Sequence, residues 1–253
     1  MMKMKKMVKI QLCNSEEAKD RIKWMIICHG ILWIIFGIVI IIVGDAELLL
    51  LINPVGMDTT HIAYILIITY SNIFYLLPFA YLIATPIFLG VSKLKDYRRP
   101  MLEGAVSFLI SSILTQVVKN LVNRNRPYHP ETGLEINTFD VNEGQNQSMP
   151  SGHVSIVGAA LLPHAIHLKN IVSAIIISLF SAGMMYVRMF LGFHYATDVL
   201  VGNILSVVFV VCVFFLFEYL YRKIEMTAKH ELVIYLIVAV PVVLIIIMSI
   251  ILA

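Results

Sequence analysis

Pro150-Ser151-Gly152-His153 marks the point where a long polar loop ends and an apolar helix begins. Ser151 suits the N-cap, Gly152 lets a ligand approach the backbone, and the unpaired N–H groups of the first turn face outward with the positive end of the helix dipole behind them. The tetrapeptide therefore reads as an anion site, with His153 beside the anion as a proton donor. Pro-Ser-Gly is also ordinary turn chemistry before a helix. The choice between these readings depends on what the rest of the chain brings to the same place.

The chain has 253 residues, of which 59% are hydrophobic and 14% charged, and a mean hydropathy of +0.87. Soluble domains carry about a quarter charged residues, so the expected class is all-α, a polytopic membrane helix bundle. A net charge of +3 is too small, and its basic residues too scattered between apolar segments, to indicate a nucleic-acid partner. Cys13, Cys28 and Cys212 form neither a disulfide framework nor a metal-type spacing.

Residues 1–23 carry Lys3, Lys5, Lys6, Lys9, Lys19, Arg21 and Lys23 directly before the apolar run 24–43. That run is long enough to cross ~30 Å of hydrocarbon and no small-residue cleavage site follows it, so it reads as a retained first helix with a cytoplasmic amino end. Residues 24–57 are then the first transmembrane helix and an outer loop. The stretch 45–70 holds Asp45, Glu47 and Asn53-Pro54-Val55-Gly56, and fits an interfacial helix near 58–70 before a second span at 73–91. Lys93, Lys95, Arg98 and Arg99 mark a cytoplasmic loop.

Further spans are expected at 101–119, 153–168, 171–190, 194–219 and 232–252, giving six to seven transmembrane helices. A cytoplasmic loop and C-terminal helix occupy 221–253. By alternation, the polar loop 120–152 lies outside, and so do Arg188 and the start of the span at His194.

Three separate polar clusters then meet at one membrane face: Lys119 with Arg126, Ser151-Gly152-His153, and Arg188 with His194 and Asp198. Each has a bland reading, as snorkelling interfacial cations, a helix-end anchor, or a residue favoured by a helix dipole. Their coincidence on one face does not. His194 and Asp198 are spaced i, i+4, so the carboxylate can accept from one imidazole nitrogen while the other points at a substrate. Three cations around a helix N-terminus describe a pocket for a doubly charged anion, most simply phosphate.

No His, Asp or Glu group has metal-ligand spacing, so neither a metal nor a cofactor is expected and a side chain must make the first attack. His194 is the best placed. Tyr128 and His129 read as loop residues, His29 as bundle-facing, and His164 and His167 as distant from the cluster. Asn146-Gln147-Ser148 matches a glycosylation acceptor, but a glycan there would crowd Ser151.

With these residues in hand, the chain resembles the type-2 phosphatidic acid phosphatase superfamily, the lipid phosphate phosphatases, whose signature has three parts. Here they read Lys-x6-Arg-Pro at 119–127, Pro-Ser-Gly-His at 150–153, and Arg-x5-His-x3-Asp at 188–198. Spacing, order and separation all match over roughly 60–220, the core being drawn at 58–220. One departure is Val187, where the family pattern usually has Ser before the Arg, which removes a supporting hydrogen bond.

The resemblance implies that His194 attacks phosphorus, Asp198 orients it and His153 protonates the leaving oxygen. Lys119, Arg126, Ser151, Gly152 and Arg188 would hold the phosphoryl oxygens. The implied substrate is a lipid phosphate or pyrophosphate in the bilayer, such as phosphatidic acid, phosphatidylglycerol phosphate or a polyprenyl pyrophosphate. The implied place is the extracytoplasmic face of the plasma membrane. A phosphotransferase with a non-water acceptor, such as a sugar or a lipid A-like lipid, is one alternative, and a non-catalytic lipid-binding or transport protein is another. The related vanadium haloperoxidases are soluble, which the apolar spans argue against. Neither the oligomeric state nor the particular lipid is written in the sequence.

Overall fold

The computed structural model describes residues 14–139, 146–224 and 226–251, so Lys3, Lys5, Lys6, Lys9 and Cys13 lie outside the described residues. Among those described there is no strand, and the chain is an all-α bundle.

The first helix, α1 (Ser15–Val43), starts well before the apolar run that announces it. Its start is fixed locally: Asn14 accepts from Glu17 N–H at 3.0 Å while the Glu17 carboxylate accepts from Asn14 N–H at 2.9 Å, a reciprocal cap. The polar first turns add Lys19–Glu16 and Lys23–Asp20 pairs at i, i+3. At Gly44 the backbone adopts φ 102, open to glycine. It turns straight into α2 (Asp45–Ile52), an eight-residue helix in a stretch that reads as loop in the sequence, with Asp45 and Glu47 at its positive end.

The helix expected near 58–70 is α3 (Ile62–Ser71), begun by His61, whose ring accepts from Ala63 N–H. The bundle continues as α4 (Ile73–Gly90), α5 (Arg98–Val122), α6 (Gly152–His167), α7 (Ile171–Phe190), α8 (Ala196–Lys223) and α9 (Ala228–Ile251). By length and composition α1, α5 with its preceding turn, α7 and α8 are long and apolar enough to cross a membrane. The protein is accordingly an integral membrane helix bundle.

Helix α6 lies at the centre, packed on α5, α7 and α8. Its approach to α8 rests on small residues. A Cβ on Gly202 would lie 2.8 Å from the Ser151 carbonyl oxygen, and one on Gly158 would sit 2.6 Å from Ser206 Cβ. Between helices in hydrocarbon, close backbone approach and buried polar contacts replace the solvent-driven burial that holds soluble bundles. Buried bonds of that kind recur here: Ser111 with Ser155 at 2.7 Å, Thr115 with Ser155 at 3.0 Å, and His29 and Trp33 of α1 with Asn203 of α8. His29 therefore faces the bundle, as its position suggests.

The two ends of the bundle differ. At one end lie Gly44, Lys119, the described loop residues 123–139 and 146–151, and the start of α8. At the other, Arg99 stands over the rings of Phe214 and Tyr221 and pairs with Glu103 at 2.7 Å and Glu218 at 3.0 Å. His167 Nε2 lies 2.7 Å from the other Glu103 oxygen, and Ser15 donates to Glu218. This buried network ties α1, α5, α6 and α8 together. His164, beside Tyr81, belongs to the same half.

Glu103 is 1% exposed and bonds both Arg99 and His167. Glu103→Leu would leave His167 without this acceptor and Arg99 with Glu218 alone, and a loss of about 1–3 kcal/mol is expected on unfolding in detergent. The exposed Lys23→Ala, measured beside it, is expected to leave the melting temperature unchanged.

Candidate active site

Helix α6 begins at Gly152 because Ser151 is held in extended geometry, φ −70 and ψ 113, and its N–H donates to the Asp198 carbonyl at 3.0 Å. This bond places the start of α6 against the start of α8. The Ser151 hydroxyl is fully buried and has no hydrogen-bond partner among the described residues, so a polar atom sits at the helix N-terminus.

Lys119 reaches this place from the last turn of α5, which Asn123 stops in left-handed geometry, φ 44. Its Cε lies 3.6 Å from where a Gly152 Cβ would stand, and its Nζ donates to the Gln147 carbonyl at 2.8 Å. Arg126 enters from the loop and donates to the Asn146 carbonyl at 3.3 Å. Arg188 comes from the last turn of α7, 1% exposed, with its guanidinium 4.5 Å from the Phe193 ring and 3.3 Å from the Ser71 hydroxyl. Arg188, His194, Lys119 and Arg126 all lie close enough to act electrostatically on His153. The three motifs are thus one cluster in space.

His194 lies between α7 and α8 and is 1% exposed. Its Nδ1 is 3.7 Å from Asp198 Oδ2, longer than the direct hydrogen bond that the i, i+4 spacing suggests. The reason is Ser148, whose hydroxyl donates to Asp198 Oδ2 at 2.5 Å and lies 3.5 Å from His194 Nδ1. The same carboxylate oxygen accepts from Tyr195 N–H at 2.9 Å, and Oδ1 accepts from Arg124 at 2.7 Å. With Nδ1 turned toward this carboxylate, Nε2 faces away from it.

Several residues of this site carry no motif. Ser148 is the last residue of the glycosylation-like triplet, but its side chain is buried. Arg124 precedes the motif Arg126, and Asp45 of α2 accepts from it at 2.7 Å. Ser71 of α3 supplies the hydroxyl next to Arg188, while Val187, where the family pattern has Ser, packs in the apolar core. The only advance signal for these was the presence of polar residues in loops. Of the loop residues read as bystanders, His129 caps a short turn at Pro130–Thr132 and Tyr128 packs edge-on against Phe193.

Two helix starts facing buried cations and imidazoles form an arrangement whose chemistry suits an oxyanion. Residues 101–222 match the sequence model of the PAP2 superfamily. Among solved structures, the crystal structure of Aquifex aeolicus LpxE superposes with a TM-score of 0.53 at 21% identity, over 67% of this chain and 93% of that one. At that identity the likeness is one of fold. A search of curated proteins found no match. The family supports a phosphatase for lipid phosphates.

Gly202 sets the spacing between the two helix starts. Gly202→Ala is expected to displace Ser151 and weaken binding of inorganic phosphate about tenfold, or ~1.4 kcal/mol. Gly30→Ala, which meets nothing within 4 Å, is expected to leave it unchanged. Equilibrium binding in detergent compares them.

Proposed function

We propose that the protein is a metal-independent phosphatase that hydrolyses a lipid phosphate or pyrophosphate through a phosphohistidine on His194. The observation that carries this reading is the convergence of His153, His194, Lys119, Arg126 and Arg188 on the start of α6. Phosphoryl transfer needs positioning and charge stabilisation more than covalent assistance, and fixed cations with helix N–H groups supply both.

In the first step His194 Nε2 attacks phosphorus, the bond to the leaving oxygen breaks, and that oxygen takes a proton from His153. Asp198 and Ser148 hold the opposite ring nitrogen while the imidazole becomes cationic. Lys119, Arg126, Arg188 and the Ser151–Gly152 backbone bind the phosphoryl oxygens. In the second step water attacks the phosphohistidine and gives its proton to His153. Inorganic phosphate leaves and His194 is restored.

The substrate class follows from the surroundings. The site lies at the rim of an apolar bundle, so a phosphate headgroup can enter while its acyl or prenyl tails stay in lipid. Phosphatidic acid, phosphatidylglycerol phosphate and polyprenyl pyrophosphates all satisfy that geometry. Lys93, Lys95, Arg98, Arg99, Lys169, Arg222 and Lys223 gather at the opposite end, which by the positive-inside rule supports a cytoplasmic opposite end and an extracytoplasmic site. With α4, α6 and α9 counted as crossings beside α1, α5, α7 and α8, the chain has seven spans.

Purified protein in detergent without divalent metal is expected to release phosphate from at least one of these lipids. His194→Ala is expected to lower release roughly a thousandfold or more. Because His194 must be neutral while His153 is protonated, the rate is expected to be bell-shaped between about pH 5 and 8. Absence of release from the whole panel, or a flat profile, would count against the assignment.

A further inference from the structure

Arg124 belongs to none of the three motifs, yet it bonds three side chains at the site. One guanidinium nitrogen is 2.7 Å from both Asp198 Oδ1 and Thr197 Oγ1, and the other is 2.7 Å from Asp45 Oδ2. The guanidinium also stands 4.0 Å over the Tyr195 ring. Asp45 in turn accepts from Thr197 N–H at 2.8 Å and from its hydroxyl at 2.6 Å, so α2 is fastened to the start of α8. Asp198 is fully buried, whereas the side chains of Arg124 and Asp45 are 30% and 23% exposed. Burial works against the Arg124 charge, but the two carboxylates outweigh it and hold the guanidinium above its ordinary range.

We propose that Asp45 and Arg124 are a positioning pair for the His194–Asp198 dyad, setting both the orientation of Asp198 and the net charge that His194 meets. This rests on the phosphatase reading above. Asp45 lies outside the family-matched region 101–222 whereas Arg124 lies within it, so Asp45 is the contribution of the N-terminal helices to the site.

The argument is one of charge. Arg124 alone beside Asp198 would make a neutral pair, and His194 would face no compensating charge as its ring becomes cationic. Asp45 adds a second carboxylate, so the group Asp45–Arg124–Asp198 carries one net negative charge next to His194. Orientation follows from the same contacts. Oδ1 of Asp198 is taken by Arg124 and Oδ2 by Ser148 and Tyr195 N–H, which fixes the carboxylate plane that faces the imidazole. His194 and the cations Lys119, Arg126 and Arg188 all act on His153, Tyr195 adjoins His194 in the chain, and the substitutions below leave them in place.

The test uses the full chain in detergent, with lipid-phosphate hydrolysis followed against pH. Asp45→Asn keeps the acceptor for Thr197 N–H but removes the charge. It is expected to lower kcat about tenfold with little change in KM, and to move the acid limb of the profile down by roughly half a pH unit. Arg124→Gln is expected to lower kcat as well, but to move the limb up. The double variant is expected to return the limb near its wild-type position. Arg124→Lys, which keeps the charge and loses the two-pronged grip, is expected to lower kcat with the limb in place, and it serves if Asp45→Asn does not fold.

Limbs that stay put, or that move in the same direction for both charge-removing variants, would reduce the pair to a structural clasp. A raised KM at constant kcat in Arg124→Gln would make Arg124 a substrate ligand instead. Wild type that releases no phosphate overturns the phosphatase reading and this inference with it. Unchanged kcat in Asp45→Asn beside an active wild type overturns the inference alone.

Discussion

A single backbone hydrogen bond, from Ser151 N–H to the Asp198 carbonyl at 3.0 Å, joins the starts of α6 and α8. It forms because Gly202 presents no side chain where the two backbones meet. Interiors of membrane bundles gain little from apolar burial alone, so such an approach must be paid for by contacts between small residues and by satisfied polar groups. Once made, it sets two helix N-termini side by side. Their dipoles point at the same space, and so does every cation that Coulomb attraction alone would otherwise leave in water. Buried guanidinium and ammonium groups are costly to desolvate. The carbonyls of Asn146 and Gln147 and the Ser71 hydroxyl offset part of that cost for Arg126, Lys119 and Arg188.

The opposite end of the bundle solves the inverse problem. Its ion pairs tie helices together: Arg99 against Glu103 and Glu218, and Arg98 against Glu231, with His167 hydrogen-bonded to Glu103. There the pairs close the helix ends against one another. In the site itself Lys119, Arg126 and Arg188 approach His153, while the two carboxylates Asp45 and Asp198 are both held by one residue, Arg124. The asymmetry in pairing separates the anchoring end from the end that can bind an anion.

The helices were legible in the sequence because apolar runs bounded by charge have few other solutions in a bilayer. The three motifs were legible because their residue types and spacings are specific. The contacts that hold those motifs were not. Asp45 and Arg124 are 79 residues apart, and nothing local marks either as the partner of the other. Ser148 lay in a polar run whose composition suggested solvent, and α2 in a stretch broken by Asn53-Pro54 that read as loop. The i, i+4 spacing of His194 and Asp198 indicated a shared face but not the serine hydroxyl beside them. Local pattern fixes which residues share a surface, while tertiary packing decides what comes between them.

Val187 illustrates how the support is redistributed. A serine before Arg188 would offer its hydroxyl from the same helix, whereas the valine is buried among apolar neighbours and offers nothing polar. The hydroxyl at Arg188 comes instead from Ser71 at the end of α3. Asn53, just past α2, spans the carbonyls of Asn137 and Phe190 with one amide and accepts from Asn137 N–H with its oxygen. Asp45 holds Arg124. Each of these three residues lies upstream of the family-matched region, and each makes a polar contact with a different part of the site or the loop that covers it. Buried polar contacts of this kind are expensive to leave half-made. The segment from Gly44 to Ser71 therefore cannot be exchanged without disturbing the geometry at Arg188 and Asp198, and the physical boundary of the site begins at α2 rather than at the first motif.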